Sequence, residues 1–281
     1  MWGASYLFMR YAVPHFGSLA LIEARVLIAG LALLVMLRAT GGTIDWKRDW
    51  RAYLFVGVIG LDVPFVLIAQ ALTTIDASTA AILNALSPLF AAIVAALWIR
   101  DPLTLSKLGG IALCLVGTAV LVGWRPAPMS GIELLSAGMS VLATALYGYT
   151  LVFTKVRLKA ATPMAISTAT LLVAAAALMP VVPLAAPDLS TIPPLAWLAA
   201  IALAFVSTTV AFLFYYRLIA DIGPVKASTV TLLVPVFGMI WGVIFLGEPL
   251  TAGRLAGCAI ILSGCALILG LVPMLRRRPA S

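Results

Sequence analysis

Residues 88–104 read PLFAAIVAALWIRDPLT, and residues 235–251 read PVFGMIWGVIFLGEPLT. The two stretches align at an offset of 147 residues, and each runs from a proline through an apolar segment to a turn in which an acid precedes a proline. The offset continues without a gap through Leu108/Leu255, Gly110/Gly257, Ala112/Ala259, Leu115/Leu262, Gly117/Gly264 and Ala119/Ala266. Apolar residues match easily by chance, but shared prolines, glycines and acids do not. The alignment therefore indicates an internal repeat.

The repeat extends to the beginning of the chain at a slightly different offset. The segment WGASYLFMR (2–10) parallels YGYTLVFTK (147–155), which pairs Gly3 with Gly148, Phe8 with Phe153 and Arg10 with Lys155. We therefore predict two like halves, residues 1–124 and residues 125–274, followed by a basic tail at 275–281.

The composition of the chain requires a lipid environment. Hydrophobic residues make up 63% of the 281 residues and charged residues only 10%, with a mean hydropathy of +1.15, whereas a soluble domain carries about 25% charged residues. The net charge of +8 does not indicate a nucleic-acid partner, because the basic residues lie between apolar runs. The single histidine has no partner at metal-ligand spacing, and the cysteines lie inside apolar runs, so no metal, cofactor or disulfide framework is predicted.

The apolar runs predict an all-α integral membrane protein with ten transmembrane helices. A span needs roughly 20 residues to cross about 30 Å of hydrocarbon. The candidate spans are residues 1–13, 18–38, 53–72, 77–98, 106–123, 131–154, 163–184, 192–216, 224–246 and 253–273. The first run is short, so we expect a first helix that is truncated at its N-terminus. A signal peptide is the competing interpretation, but no basic segment precedes the run and no small-residue cleavage site follows it.

The placement of positive charge predicts the orientation. With the N-terminus in the cytoplasm, fourteen of the eighteen lysine and arginine residues fall in cytoplasmic segments, which is the bias expected of membrane proteins. We expect both termini on the cytoplasmic side of a bacterial inner membrane, with membrane lipid as a partner. Five spans in each half force the two halves into opposite orientations, and such inverted repeats are typical of transporters.

A series of short motifs resembles the EamA-type family of the drug/metabolite transporter superfamily. The resemblance rests on Trp2-Gly3-Ala4-Ser5 followed by Phe8 and Arg10, on Arg25, on Ala71-Leu72 with Ala77-Ser78-Thr79-Ala80-Ala81, on Pro88 and Pro235, and on Gly247-Glu248-Pro249-Leu250-Thr251. Membership implies an exporter of amino acids, related metabolites or xenobiotics, with a central cavity lined by helices one to four and six to nine. The sequence departs from the family pattern at Arg100-Asp101, where Gly-Glu is usual, and at Asp62.

Charged groups within spans are the first candidates for a substrate site, because each costs at least about 2.5–3.5 kcal/mol at membrane depth. Asp62 is predicted to couple transport to protons or to bind a substrate ammonium, or else to be a neutral, hydrogen-bonded acid. Arg25 is predicted to bind a substrate carboxylate through its planar fork. The alternatives for Arg25 are a pair with Glu23 or Asp62, or an extension of the side chain to the membrane surface.

Aromatic and amide side chains complete the predicted substrate site. Trp2, Tyr6 and Tyr149 lie on helices expected to face the cavity, where they either pack against substrate or fill the protein core. Asn84 is expected to hydrogen-bond either substrate or a neighbouring helix.

Prolines and acids recur at equivalent positions of the two halves. Pro88 and Pro235 each remove a helical hydrogen bond and are predicted to be hinges. Asp101 and Glu248 precede prolines at the starts of the fifth and tenth helices, where helix capping explains both acids.

These features predict a secondary transporter, rather than an enzyme, that exports small organic molecules by alternating access. Transport is either passive or coupled to protons, and the protein is a monomer or a homodimer; small residues such as Gly257 and Gly264 suit close helix contact in either case. The alternative is an integral-membrane enzyme acting on a lipid or isoprenoid substrate, which usually needs clustered acids, histidines or cysteines. A receptor or scaffold is a third class, but the chain has no long connection that could form a soluble domain.

Overall fold

The computed structural model describes residues 1–124, 128–185, 187–222 and 229–271, and within these ranges the chain is helical, without a strand. The α-helices are α1 (Ala4–Ala39), α2 (Trp46–Gly57), α3 (Val63–Ala71), α4 (Ala77–Asn84), α5 (Ser87–Trp98), α6 (Leu105–Gly123), α7 (Gly131–Arg157), α8 (Pro163–Leu178), α9 (Pro194–Ala204), α10 (Ala211–Ile222), α11 (Leu233–Leu246) and α12 (Ala252–Ile268). Two π-helical segments are Val58–Asp62 and Phe205–Val210, and three 3-10 turns are Val182–Ala185, Leu189–Thr191 and Thr229–Leu232. The predicted basic tail at 275–281 lies outside the described residues.

The helices have the length and composition of a membrane protein. Among the described residues, six helical stretches are long and apolar enough to cross a membrane, and three shorter apolar helices accompany them. The six are Ala4–Ala39, Trp46–Ala71, Ala77–Trp98, Leu105–Gly123, Gly131–Arg157 and Pro194–Tyr215. Large apolar side chains also cover the outside, where Leu97 is 81% and Leu105 80% exposed. Such a surface is suited to lipid rather than water, so the protein is an all-helical membrane protein.

Two helix boundaries differ from the predicted spans for local reasons, whereas the break between the first two predicted spans is present. Ala4–Ala39 consists of two helical parts that meet at Gly17, whose φ of 72° and ψ of 164° are not helical and suit a residue without a Cβ atom. The second part folds back on the first, because Arg25 Nη1 lies 3.8 Å from the Met9 sulfur. α2 begins before the predicted third span, because the Asp45 side chain accepts the Arg48 N–H at 3.1 Å and caps the helix. α8 ends before Pro180, which cannot continue a helix.

The two π-helical segments occupy equivalent places in the two halves, because 58–62 and 205–209 are related by the offset of 147 residues. The first segment is followed by Pro64, which has no N–H to donate and crowds the carbonyl one turn earlier. In the second, the Thr208 hydroxyl donates to the Leu203 carbonyl at 2.9 Å. Each segment widens its helix, and π-turns of this kind are frequent at functional sites.

α6 and α12, whose sequences align at the offset of 147 residues, pack against each other along faces of small residues. A Cβ atom on Gly110 would lie 2.6 Å from the Gly264 carbonyl oxygen, and a Cβ atom on Gly264 would lie 2.6 Å from the Gly110 oxygen. The Cys114 and Cys265 sulfurs are 3.7 Å apart in the same interface, and both thiols are free. The small-residue face predicted for the tenth helix therefore serves packing within the chain.

Candidate functional site

A central cavity of about 880 Å³ lies among α1, α3, α5, α7, α10 and α11 and has a mostly apolar wall. Five of the predicted site residues line it, namely Trp2, Tyr6, Arg25, Asn84 and Pro88. Small-molecule sites are concave pockets of about 300–1,000 Å³ with a few placed polar groups. The central cavity therefore has the size and character of a binding site.

Arg25 is a buried cation in the wall of the central cavity, only 5% exposed. Its Nε donates to Thr208 Oγ1 of the second π-helical segment at 3.0 Å, and its guanidinium carbon lies 3.9 Å from the centre of the Phe65 ring. No carboxylate of the described residues pairs with it, so neither of the ion pairs considered for Arg25, with Glu23 or with Asp62, is formed. A guanidinium held in this way keeps donors of its planar fork available for an anion.

Two tyrosines surround Arg25 on the cavity side. Tyr6 and Tyr147 lie within electrostatic range of the guanidinium, and both line the central cavity. The substrate site predicted from the sequence includes Tyr149 and leaves out Tyr147. Tyr147 and Lys155 line the cavity eight residues apart, which is one face of α7. Only the structure shows that Lys155 lines the cavity, so the sequence alone holds no signal that singles out Tyr147.

Trp2 and Asn84 contribute the other predicted polar and aromatic groups of the cavity wall. Trp2 packs against Phe212 and Tyr215, with ring centroids 6.0 and 5.1 Å away. Asn84, the last residue of α4, has a buried Oδ1 atom that no described residue engages in a hydrogen bond. Because buried polar atoms are normally satisfied, this oxygen is suited to accept a hydrogen bond from a bound molecule.

Asp62 lies behind the cavity wall rather than in it. It is 3% exposed, it ends the first π-helical segment, and neither of its carboxylate oxygens has a hydrogen-bond partner within the described part of the chain. Its neighbours Gly60 and Leu61 line the central cavity, and Glu23 lies within electrostatic range on α1. Asp62 does not line the central cavity in this conformation, and its substrate-binding and coupling roles both stay predictions.

Tyr149 belongs to an aromatic cluster away from the central cavity. Its ring stacks on Trp98 with centroids 5.5 Å apart and meets the Phe55 ring at 5.9 Å, and 37% of the residue is exposed. This placement corresponds to the packing alternative for Tyr149, because aromatic rings of this kind stabilise the surface of a membrane bundle.

The predicted hinges follow interruptions of their helices. Pro88 is the second residue of α5, directly after the break between α4 and α5, and it lines the central cavity. Pro235 is the third residue of α11, which follows a 3-10 turn, and it is buried. The two prolines are related by the offset of 147 residues, and the hinge role of both stays a prediction.

Charged groups line one end of the central cavity. Asp101 pairs with Lys107 at 2.9 Å, and Lys155 lies in the same part of the wall. Asp101 does not cap the fifth helix as predicted, because Thr104 accepts the Lys107 N–H at 3.3 Å and is the cap. Glu248 does not cap the tenth helix either and contacts α4 instead.

Comparison with known proteins assigns the chain to a family. The EamA-like transporter family matches residues 1–123 and 134–270, and the chain belongs to this family, as the motifs predicted. An uncharacterized transporter of Archaeoglobus fulgidus is 27% identical over 271 residues, which cover 95% of this chain and 94% of that protein. A probable terminal-alkyne amino-acid exporter of Streptantibioticus cattleyicolor is 23% identical over 267 residues, or 95% and 89% of the two chains.

A solved crystal structure shares the fold. It superposes with a TM-score of 0.65 over 94% of both chains, at 17% sequence identity. The family and both relatives are named as transporters and not as enzymes. The transporter class is therefore supported over the enzyme alternative.

Proposed function

We propose that the protein is a secondary carrier that exports small organic molecules bearing a carboxylate, by alternating access around the central cavity. The observation that carries this proposal is Arg25, a buried guanidinium without a carboxylate partner among the described residues, in a cavity wall of a transporter-family protein. An unpaired buried charge is costly. A substrate carboxylate supplies the missing anion with two parallel hydrogen bonds.

The charge balance of the cavity wall favours an anionic group. Arg25 and Lys155 are positive, whereas the charges of Asp101 and Lys107 offset each other in their ion pair. A cleft of one sign with low-dielectric walls concentrates ions of the opposite sign. For a zwitterion such as an amino acid, Asn84 Oδ1 offers an acceptor to the ammonium group.

The proposed architecture has ten spans in two inverted halves, with both termini in the cytoplasm of a bacterium. Equivalent local bonds support the repeat: the Asp101 N–H donates to the Ala95 carbonyl at 3.2 Å, and the Glu248 N–H donates to the Gly242 carbonyl at 3.1 Å, each pair at the offset of 147 residues. In this orientation the Asp101 end of the cavity faces the cytoplasm and the Glu248 end faces the outside.

Purified protein in liposomes tests the role of Arg25. Labelled carboxylic acids with apolar or zwitterionic bodies are compared with the corresponding amides, and we expect the acids to be taken up at least about tenfold faster, because an amide leaves the buried guanidinium unpaired. Arg25→Gln removes the charge and should abolish this preference. Arg217→Gln is the matched control, because the Arg217 side chain is 81% exposed.

Two results contradict the proposed substrate class. One is equal uptake of acids and amides by the unaltered protein, and the other is a preference for acids that survives in a folded Arg25→Gln protein. Uptake of neither compound across a broad panel would contradict the carrier itself.

A further inference from the structure

The Glu248 carboxylate crosses from the second half of the chain to the first. It lies in the connection between α11 and α12 and accepts the Ala77 N–H at 2.6 Å and the Ser78 N–H at 2.9 Å. The Ser78 hydroxyl donates to it as well. Glu248 is only 7% exposed, so its charge is satisfied by the first turn of α4, where the helix dipole also favours an anion.

The backbone around Glu248 is shaped for this contact. Gly247 takes a left-handed conformation, with φ of 64°, which turns the chain back over the end of α11. Gly242 leaves space for the carboxylate, because a Cβ atom there would lie 2.5 Å from Glu248 Oε2 and 2.6 Å from Ser78 Oγ. A side chain at Gly242 would displace the acid from α4.

Further charged side chains bind the connection that joins α3 to α4. Arg254, at the start of α12, is 5% exposed and forms an ion pair with Asp76, the residue before α4, while it also donates to the Pro249 carbonyl at 2.6 Å. Arg10 of α1 donates to the Leu72 carbonyl at the end of α3. The connection is therefore held by both halves of the chain.

α4 and α11 touch each other at the end near Glu248 and are separated at the opposite end. One turn into α4, Ala81 packs directly on Gly238 of α11, where a Cβ atom would lie 2.4 Å from the Ala81 Cβ. Further along, Asn84 of α4 and Val234 of α11 both line the central cavity. The contacts of Glu248 thus lie at the sealed end of the cavity.

The equivalent acid of the first half, Asp101, is not engaged in this way. The local turn is the same: Arg100 adopts a left-handed φ of 55° as Gly247 does, and the Lys107 ammonium donates to the Pro102 carbonyl at 3.1 Å as Arg254 does to Pro249. Yet the Asp101 carboxylate pairs with Lys107 of its own half and lines the central cavity. Two copies of one turn therefore occur in two states, one bound across the halves and one not.

We propose that Glu248 is a latch: its bonds to Ala77 and Ser78 hold one face of the carrier closed, and they must break for that face to open. The proposal rests on the proposed carrier function. Release of the carboxylate admits water, which replaces the lost hydrogen bonds, so the two states can have similar free energies. Weakening the latch shifts the population towards the state that is open at the α3–α4 connection.

Cysteine accessibility in the full-length protein tests the latch without any substrate. Cys114, Cys258 and Cys265 are replaced by alanine, and Ser87, which lines the central cavity, is changed to cysteine. A membrane-impermeant maleimide is applied from each side of sealed vesicles. Cysteines placed at Thr40 and at Ser190 in separate proteins mark the two faces and report the orientation of the chain.

Glu248→Gln keeps the size of the side chain and removes its charge. We expect the Ser87→Cys thiol to react about tenfold faster from the face of the α3–α4 connection, because loss of charge-assisted hydrogen bonds shifts a two-state equilibrium by about this factor. Labelling from the opposite face should slow. Asp101→Asn is the matched control and should not raise labelling from the α3–α4 face.

Ser78→Ala removes one of the three donors while the acid remains, so it should give a smaller shift in the same direction. It carries the test if Glu248→Gln fails to fold. The latch is overturned if a folded Glu248→Gln or Ser78→Ala variant is labelled from the α3–α4 face at the same rate as the unaltered protein. Because labelling needs no transported compound, that result leaves the carrier function to be judged by uptake alone.

Discussion

At the scale of single residues, two buried charges of opposite sign share the helical bundle without pairing. Arg25 is held by Thr208 and Phe65, and Asp62 has no hydrogen-bond partner among the described residues. Opposite charges attract strongly in a low-dielectric interior, so an ion pair would be the simplest way to stabilise both. Their separation leaves Arg25 open to an anion and Asp62 open to a proton.

Asp62→Asn removes the titratable group and keeps the shape of the side chain. We expect uptake driven by an imposed pH gradient to fall to the level seen without a gradient, because asparagine cannot bind or release a proton. Glu23, the acid near Asp62 among the described residues, is retained in this variant. Substrate exchange at equal pH should persist. Uptake into liposomes with and without the gradient measures both quantities.

Asp188→Asn is the control for this variant. Hydrogen bonds from the Ser190 hydroxyl and N–H, at 2.7 and 3.0 Å, hold the pKa of Asp188 below its usual value, so this acid stays ionised at neutral pH. If Asp62→Asn transports as fast as the unaltered protein under the gradient, Asp62 is not the coupling residue.

The sequence singles out residues of the cavity wall whose polar side chains are unusual within an apolar run. Arg25 and Asn84 stand out because a polar side chain within an apolar run needs a reason. Tyr147 lines the central cavity and Tyr149 does not. The sequence could not distinguish them, because side chains two positions apart on a helix point in different directions and only packing decides which one faces the cavity. The partner of Glu248 was not predictable, because it lies 170 residues away in the chain.

At the scale of helices, the positions of the apolar runs were predicted well and their ends less well. Run length fixes where a span lies, whereas a single cap or bend fixes where it begins, as Asp45 and Gly17 do. The π-helical segments were not predicted, because Pro64 alone does not distinguish a widened turn from an ordinary kink. The small-residue face of α12 was visible in the sequence, but not its partner α6.

The close contact between α6 and α12 predicts the effect of adding one methyl group. In Gly264→Ala the new Cβ would lie 2.6 Å from the Gly110 oxygen and 2.8 Å from the Cys114 sulfur. We expect a lower melting temperature in detergent, because the two helices must separate. Gly138→Ala is the control: its Cβ meets nothing within 4 Å, and alanine should raise helix stability by roughly 0.5–1 kcal/mol. Equal melting temperatures for both variants would contradict the packing described for α6 and α12.

At the scale of the whole molecule, two turns that the sequence relates by an offset of 147 residues have different contacts. The turn at Glu248 is bound to α4, while the equivalent turn at Asp101 lines the central cavity. An internal repeat in the sequence predicts the same local structure for both turns, so the sequence does not tell which turn contacts the other half. In alternating access the two turns would exchange these contacts. The closed end and the accessible end therefore follow only from the structure.

Counterflow in proteoliposomes tests whether one cavity is exposed alternately to the two sides of the membrane. Vesicles are loaded with an unlabelled carboxylate of the panel, diluted, and given a trace of the same labelled compound outside. We expect saturable uptake of label that is faster into loaded than into empty vesicles, because a loaded carrier returns with substrate. Uptake that rises linearly with concentration and ignores the internal compound would contradict a carrier and indicate a pore.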